Sequence, residues 1–321
     1  SKGFAKVSDF AKTFEIPIVN PLSEREEIIY DNPSVFKLRP SEEDQLDKLV
    51  SYLAENYPDE NITLVRHNKY KYQAPISFIR NTLNTERPGH VYLPNQKIMS
   101  KLKELEKQED YEKGDKILTE NKMIDPARIE KHREDSTYFS NLVKEVIYVD
   151  DSINGLEMNL SKIRDNIVIV ISDDVVFSKQ MLSELNKLSL QHNITLFGLP
   201  TWREYEDLET QHLLNLNFHC FTHSLVDFEK NSITRWITDF RDRSHTEPAV
   251  QNFAFDGFDT GWYFLNAMFR YGRNFSNCLD YMNISLIQSH FEFSHSKGNG
   301  FRNTYWNLGK YEDYEFNEIP Y

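Results

Sequence analysis

Cysteine is scarce in this chain: Cys220 and Cys278 are the only two in 321 residues, far apart and with no CxxC spacing. That excludes a thiol-based structural zinc or a thioredoxin-type redox site and leaves the pairing of the two thiols open. No run approaches the roughly 18 to 20 uninterrupted apolar residues that a membrane-spanning helix needs, and no signal-peptide pattern is visible. Glycine-rich phosphate loops are missing too, because Gly298-Asn299-Gly300 lacks a third glycine and precedes no helical pattern. Neither a GxSxG elbow nor an HExxH helix occurs, which removes the commonest hydrolase signatures. Positive charge is in deficit: 37 Lys and Arg stand against 50 Asp and Glu, a net charge of −13 that would repel a nucleic-acid backbone.

What the chain does contain is ordinary for a folded globular protein, with 39% hydrophobic, 27% charged and 13% aromatic residues. Its length exceeds the usual size of one core, so two lobes are expected. Four short apolar runs set the pattern: Ile16-Pro17-Ile18-Val19, Ile62-Thr63-Leu64-Val65, Ile167-Val168-Ile169-Val170 and Ile194-Thr195-Leu196-Phe197. Each lies between helix-like stretches, and β-branched runs bounded by polar turns are what strands buried on both faces look like. The pattern predicts an α/β fold with parallel sheets flanked by helices. Such sheets bind ligands beyond the carboxyl ends of their strands, and here the runs end in Asn20-Pro21-Leu22-Ser23, Arg66-His67-Asn68, Ser172-Asp173-Asp174 and Gly198-Leu199-Pro200-Thr201-Trp202.

Further elements follow from periodicity. Residues 2–14 read as an amphipathic helix with Phe4, Val7, Phe10, Ala11 and Phe14 on one face. Ser41, with Asp44 three residues on, opens a helix reaching about Asn56, close to the capping-box pattern. A charged stretch at about 95–140 reads as a solvated insertion. Val143–Val149 and Phe218–Phe221 read as strands, and Ile153–Ile163, Phe177–His192, Phe228–Arg241 and Val250–Tyr271 as helices. The tail changes period: Ile284–Phe293 and Tyr305–Tyr314 read as strands joined by the Gly298–Gly300 turn.

Few residues invite chemistry. Asp256 and Asp259 could divide acid and base roles, or they could sit in the first turns of a helix, where its dipole favours negative charge; Asp173 and Asp174 carry the same structural reading. His219 and His223 fall in a strand and its exit, a poor spacing for chelation, so neither metal nor cofactor is expected. Trp202 after strand Ile194–Phe197, and Tyr70 and Tyr72 after strand Ile62–Val65, could each wall a small ligand or lid the lobe's own core.

The order of these pieces resembles the type I periplasmic binding protein fold, above all receptors for branched-chain amino acids in ABC transport. The likeness is carried by Ile16–Ser23, Pro33–Ser41, Asn61–His67 and Phe253–Gly272. Residues 197–202, Glu247-Pro248, 286–293 and 298–303 resemble a divergent branch of Gram-negative envelope proteins found with LysM peptidoglycan-binding modules. The resemblance implies two discontinuous lobes, 1–38 with 222–283 and 39–221 with 284–321, the first lacking its N-terminal strand–helix units. It implies a non-enzymatic receptor-like domain of the periplasm or cell envelope that takes an amino acid, a peptide or a cell-wall fragment, with Asn20, Ser23, Tyr72, Thr201 and Trp202 at the ligand. Thr201 and Trp202 stand where those receptors place an acidic ligand contact, so an ammonium loses its partner there. A second reading keeps the fold without the ligand: a scaffold or regulator of peptidoglycan synthesis acting through an envelope protein, as the lipoprotein activators of penicillin-binding proteins do. A hydrolase built on Asp256 and Asp259 is the third.

Overall fold

The computed structural model describes residues 2–87, 96–120, 142–148, 155–205, 208–248 and 253–321. It divides into two compact units, residues 1–45 with 221–309 and 317–320, and residues 46–220 with 310–316 and 321.

The first unit begins with α1 (Lys2–Phe14) and β1 (Ile18–Asn20), followed by β2 (Val35–Lys37). It also holds α8 (Asn231–Ser244), α9 (Ala254–Tyr271), β8 (Phe293–His295) and β9 (Phe301–Asn303). Its sheet runs β1-β2-β9-β8, with β1, β2 and β9 parallel and β8 antiparallel to β9. Residues 284–309, expected in the second lobe, thus fall in the first unit, because Phe36 pairs with Phe301 and Lys37 with Arg302. Phe36 anchors the core there, stacked on Phe301 at 4.6 Å and packed against Phe264 and Phe275. Residues 284–292 are not a strand: three of their backbone N–H groups are taken by the Asp259 carboxylate instead of a sheet ladder. The glycine turn joins β8 to β9, with Gly298 at φ +87°, where other residues are strained.

The second unit is built on β3 (Asn61–His67), β4 (Lys144–Tyr148), β5 (Asn166–Ile171), β6 (Ile194–Phe197) and β7 (His219–Thr222). With β10 (Asn307–Glu312) and β11 (Glu315–Ile319) they form a sheet ordered β11-β10-β7-β6-β5-β3-β4. The ladders β3–β4, β3–β5, β5–β6 and β6–β7 are parallel. All six residues of β5 and the first six of β3 are buried, as expected for strands covered on both faces. The helices are α2 (Glu42–Asn56), α3 (Gln73–Glu86), α4 (Gln96–Lys107), α5 (Tyr111–Glu120), α6 (Val175–Leu188) and α7 (Thr210–Asn215). At the start of α2 the Ser41 hydroxyl accepts the Asp44 N–H and the Asp44 carboxylate receives the Ser41 N–H, which completes the capping box.

Residues 155–165 are turns around a single 3-10 turn at Glu157–Asn159 rather than the expected helix over 153–163, whose residues 153 and 154 lie outside the described residues. Buried asparagines hold that backbone: Asn61 donates to Asn159 O at 2.7 Å, and Asn166 accepts from Ser161 N at 2.7 Å. Their amides supply hydrogen bonds that a helix would make internally. The charged insertion is partly helical, with Leu102, Leu105 and Leu118 of α4 and α5 buried; its residues 121–141 lie outside the described residues.

Candidate functional site

Parallel register brings the carboxyl ends of β3 and β5 side by side, with Arg66 opposite Ile171. Directly beyond β5 stands Ser172-Asp173-Asp174; beyond β3 the chain turns through Lys69 and a 3-10 stretch at Tyr70–Tyr72. These two turns are joined by side chains. Lys71 Nζ lies 2.6 and 2.8 Å from the two carboxylate oxygens of Asp173, and Lys69 Nζ lies 2.6 Å from Asp174. The Tyr72 hydroxyl donates to Asp173 Oδ1 and accepts the Asp173 N–H at 3.3 Å. Lys71 also places its ammonium 4.8 Å from the centre of the Tyr72 ring, within cation–π range.

The same hub receives the turn after β6. Trp202 donates its indole N–H to Ser172 O at 2.8 Å, and Tyr205 donates its hydroxyl to Asp173 O at 2.8 Å. The indole is 1% exposed and stacked on Phe218 at 5.6 Å, so it belongs to the unit's interior. Tyr72 is buried as well. Both aromatics therefore back the hub, while the Lys71 and Asp173 side chains, 55% and 51% exposed, form its open face.

Electrostatics follow the geometry. The hydrogen bond from Lys71, then that from Tyr72, holds the Asp173 carboxyl below its ordinary range, and the bond to Asp173 pushes Lys71 up to about 12. Asp174 is lowered by Lys69 and by the Phe177 N–H it caps, so it is the N-cap of α6 that the sequence allowed.

Of the five residues picked from sequence, Tyr72, Thr201 and Trp202 lie in this second unit and Asn20 and Ser23 in the first. The Thr201 hydroxyl oxygen is buried with no hydrogen-bond partner among the described residues. Asn20 ends β1 and accepts the N–H groups of Leu22 and Ser23 at 3.1 and 2.9 Å, while Ser23 Oγ accepts the Arg25 N–H at 3.3 Å. Both are turn-makers. Beside them sequence reasoning missed Lys37, the last residue of β2, whose fully buried side chain lies 2.7 Å from Glu26. Arg302 reaches Glu26 at 3.8 Å and Asp44 at 3.4 Å, so two cations share that carboxylate. A charged residue closing an apolar strand was the available signal. In the second unit the missed pair, Lys71 with Asp173, was signalled by a carboxylate directly after a fully buried run.

The acid/base reading of Asp256 and Asp259 gives way to a structural one. Asp259 is fully buried, and its oxygens accept the N–H groups of Ile287, Gln288 and Ser289 at 2.7, 3.0 and 2.9 Å. Burial raises its pKa against the pull of those three amides. Asp256 is held by the Gln288 side chain at 2.5 Å. His219 is buried and His223 lies edge-on to Trp306; no group of three or more His, Cys, Asp or Glu placed to hold a metal occurs among the described residues. Cys220 and Cys278 are both free thiols. Among the described residues no helix is long and apolar enough to cross a membrane.

No family model and no curated protein matches the chain. Solved structures do. A branched-chain amino acid ABC transporter protein from Rhodospirillum rubrum aligns at a TM-score of 0.56 with 8% identity, over 96% of this chain and 74% of that one. A periplasmic ligand-binding protein of a branched-chain amino acid ABC transporter from Burkholderia xenovorans gives 0.54 with 8% identity, over 99% and 73%. LpoA from Haemophilus influenzae is more distant, at 0.48 and 8% identity over 98% and 50%. With its two parallel-dominated sheets flanked by helices, this chain has the two-lobed type I periplasmic binding protein fold.

Proposed function

We propose that the chain is a non-enzymatic, receptor-like solute-binding domain of the periplasm or cell envelope, taking an amino acid, a peptide or a cell-wall fragment. The observation that carries this reading is the exposed Lys71–Asp173 pair, set beyond the carboxyl ends of β3 and β5 and buttressed by Tyr72, Trp202 and Tyr205. A half-exposed, hydrogen-bonded carboxylate on a rigid strand end is a specificity element, since its direction is fixed before any ligand arrives. On this reading Tyr72 and Trp202 orient the site from behind, and Asn20 and Ser23 shape a turn in the first unit. Thermal-shift screening of free amino acids, short peptides and peptidoglycan fragments tests it: at least one class raises the melting temperature, and a flat response to all of them refutes the ligand claim.

Burial favours a second reading, a scaffold or regulator of peptidoglycan synthesis that has kept the fold. Tyr72 and Trp202 are spent on the second unit's interior. In the first unit, among the described residues of α1, Ser8 and Ala11 are the buried ones, while Val7, Phe10 and Phe14 are each more than half exposed. On α9, Trp262, Leu265 and Phe269 are exposed along one stripe, at 48%, 63% and 91%. Apolar stripes of this kind are typical of contact surfaces. The scaffold predicts no thermal shift with any small ligand.

A further inference from the structure

The geometry points to a homodimer of this chain, closed by antiparallel packing of α9 against α9 of a second copy. The inference rests on reading that helix as a contact surface, as the scaffold does, and is independent of the ligand claim. Between Asp256 and Arg270 the helix carries a single charged residue, the buried Asp259. Its outer face instead presents Phe258, Trp262, Leu265 and Phe269 at i, i+4, i+7 and i+11, the spacing of a helix–helix seam. Met268 widens the stripe; Trp262, Leu265, Met268 and Phe269 are 48%, 63%, 46% and 91% exposed. The amino end of the seam is already held in place. Trp236 of α8 lies against Phe258 at 5.1 Å, and Phe258 stacks on Trp262 at 6.0 Å, so these rings lose little freedom on docking.

A second copy is the occupant that fits this stripe, because the stripe complements itself. Gly257 and Gly261 lie on the same outer face, and a Cβ built on either meets nothing within 4 Å, so together they leave a shallow notch toward the amino end. The bulky Met268 and Phe269 stand toward the carboxyl end. A two-fold axis through the middle of the stripe exchanges its ends and lays these side chains of each copy over the glycines of the other, where backbones can approach closely. The same rotation brings the exposed Arg270 of one helix to the Asp256 end of its partner. Closing the four exposed apolar side chains removes on the order of 500 Å² per copy, about 1,000 Å² for the pair, which reaches the size of a specific interface before any rim residue is counted. Lipid is a poorer occupant. Interfacial helices line their polar edge with Lys and Arg, and residues 257–269 contain neither.

Sedimentation velocity on the purified chain, from about 1 to about 200 µM, tests this. Wild type is expected to reach twice the monomer mass at the upper end and to return to monomer on dilution. Leu265→Arg and Phe269→Glu, both at exposed positions, are expected to raise the dimer dissociation constant at least about tenfold, with circular dichroism checking that each variant is folded. Gly261→Leu is the sharper test, because its Cβ meets open space in the single chain. It should weaken the dimer by filling the notch even though it adds apolar surface. A monomer throughout the range overturns the dimer, as does a dimer that Leu265→Arg leaves unchanged or a Gly261→Leu chain that associates more tightly. Association that grows past two copies overturns it in favour of nonspecific contact, and a monomer that co-sediments with phosphatidylcholine vesicles overturns it in favour of a membrane surface. The scaffold reading is decided separately, by the thermal-shift screen with small ligands.

Discussion

Acidification should destabilise the second unit through one imidazole. His219 opens β7, is 4% exposed, and lies flat on Phe197 with ring centres 5.0 Å apart. Burial lowers its pKa to about 4, helped by the charge of Lys310 and opposed by the bond between Nδ1 and Asn217 O at 2.6 Å. The folded ring is therefore neutral down to about pH 4, whereas in the unfolded chain it takes up a proton near its ordinary 6.5. Between those limits the unfolded state binds more protons, so stability falls as pH falls. A gap of about 2.5 units at 1.36 kcal/mol each makes the loss about 3 kcal/mol when complete at pH 4. For a unit of this size that corresponds to a melting shift of roughly 6 to 12 °C. Calorimetry at pH 7.5 and 4.5 on wild type and His219→Phe measures it, since phenylalanine keeps the stack on Phe197 and cannot titrate. Carboxylates shared by both proteins contribute equally, so the difference between the two pH slopes isolates the histidine. Parallel slopes would refute the argument, and so would an NMR titration showing the folded ring protonating near 6.5.

Three further perturbations follow from named contacts. Asp259→Ala strands the buried N–H groups of Ile287, Gln288 and Ser289 and should cost about 3 kcal/mol or more, read from urea unfolding, with Asp259→Asn losing less because one acceptor remains. Trp202→Phe removes the donor from Ser172 O and leaves a gap beside Phe218; a loss of about 2 to 3 kcal/mol in the second unit is expected, and an unchanged transition contradicts the buried placement. Gly300→Ala puts a methyl 2.4 Å from Val35 O and 2.8 Å from Asn32 O, backbone atoms that cannot swing away. It should destabilise the β8–β9 hairpin by about 2 kcal/mol, seen as faster amide exchange at residues 293–303.

How far the fold could be read from sequence depended on which interactions shape each segment. β3, β5 and β6 were legible because each carries a continuous run of four apolar or β-branched residues, the signature of a strand packed on both faces. The α2 cap was legible because Ser41 and Asp44 act on each other within one turn. Residues 155–165 and 284–292 were not. Their apolar residues suggest helix or strand, but their backbone groups bond to side chains from elsewhere: Asn61 from β3 and Asp259 from α9. No window along the chain contains both partners of such a bond.

The candidate site divides along the same line. Tyr72, Thr201 and Trp202 could be picked out because they follow apolar runs, and position after a parallel strand is a local property. Which of them faces solvent is not local. It depends on Phe218 stacking on the indole and on Ser172 accepting its N–H, contacts from β7's approach and β5's end. Once the aromatic rings are drawn inward, the exposed chemistry passes to the polar residues beside them, and Tyr72 ties its neighbour Lys71 to Asp173 through a shared carboxylate. The two groups left open to water are an ammonium and a carboxylate already satisfied by each other.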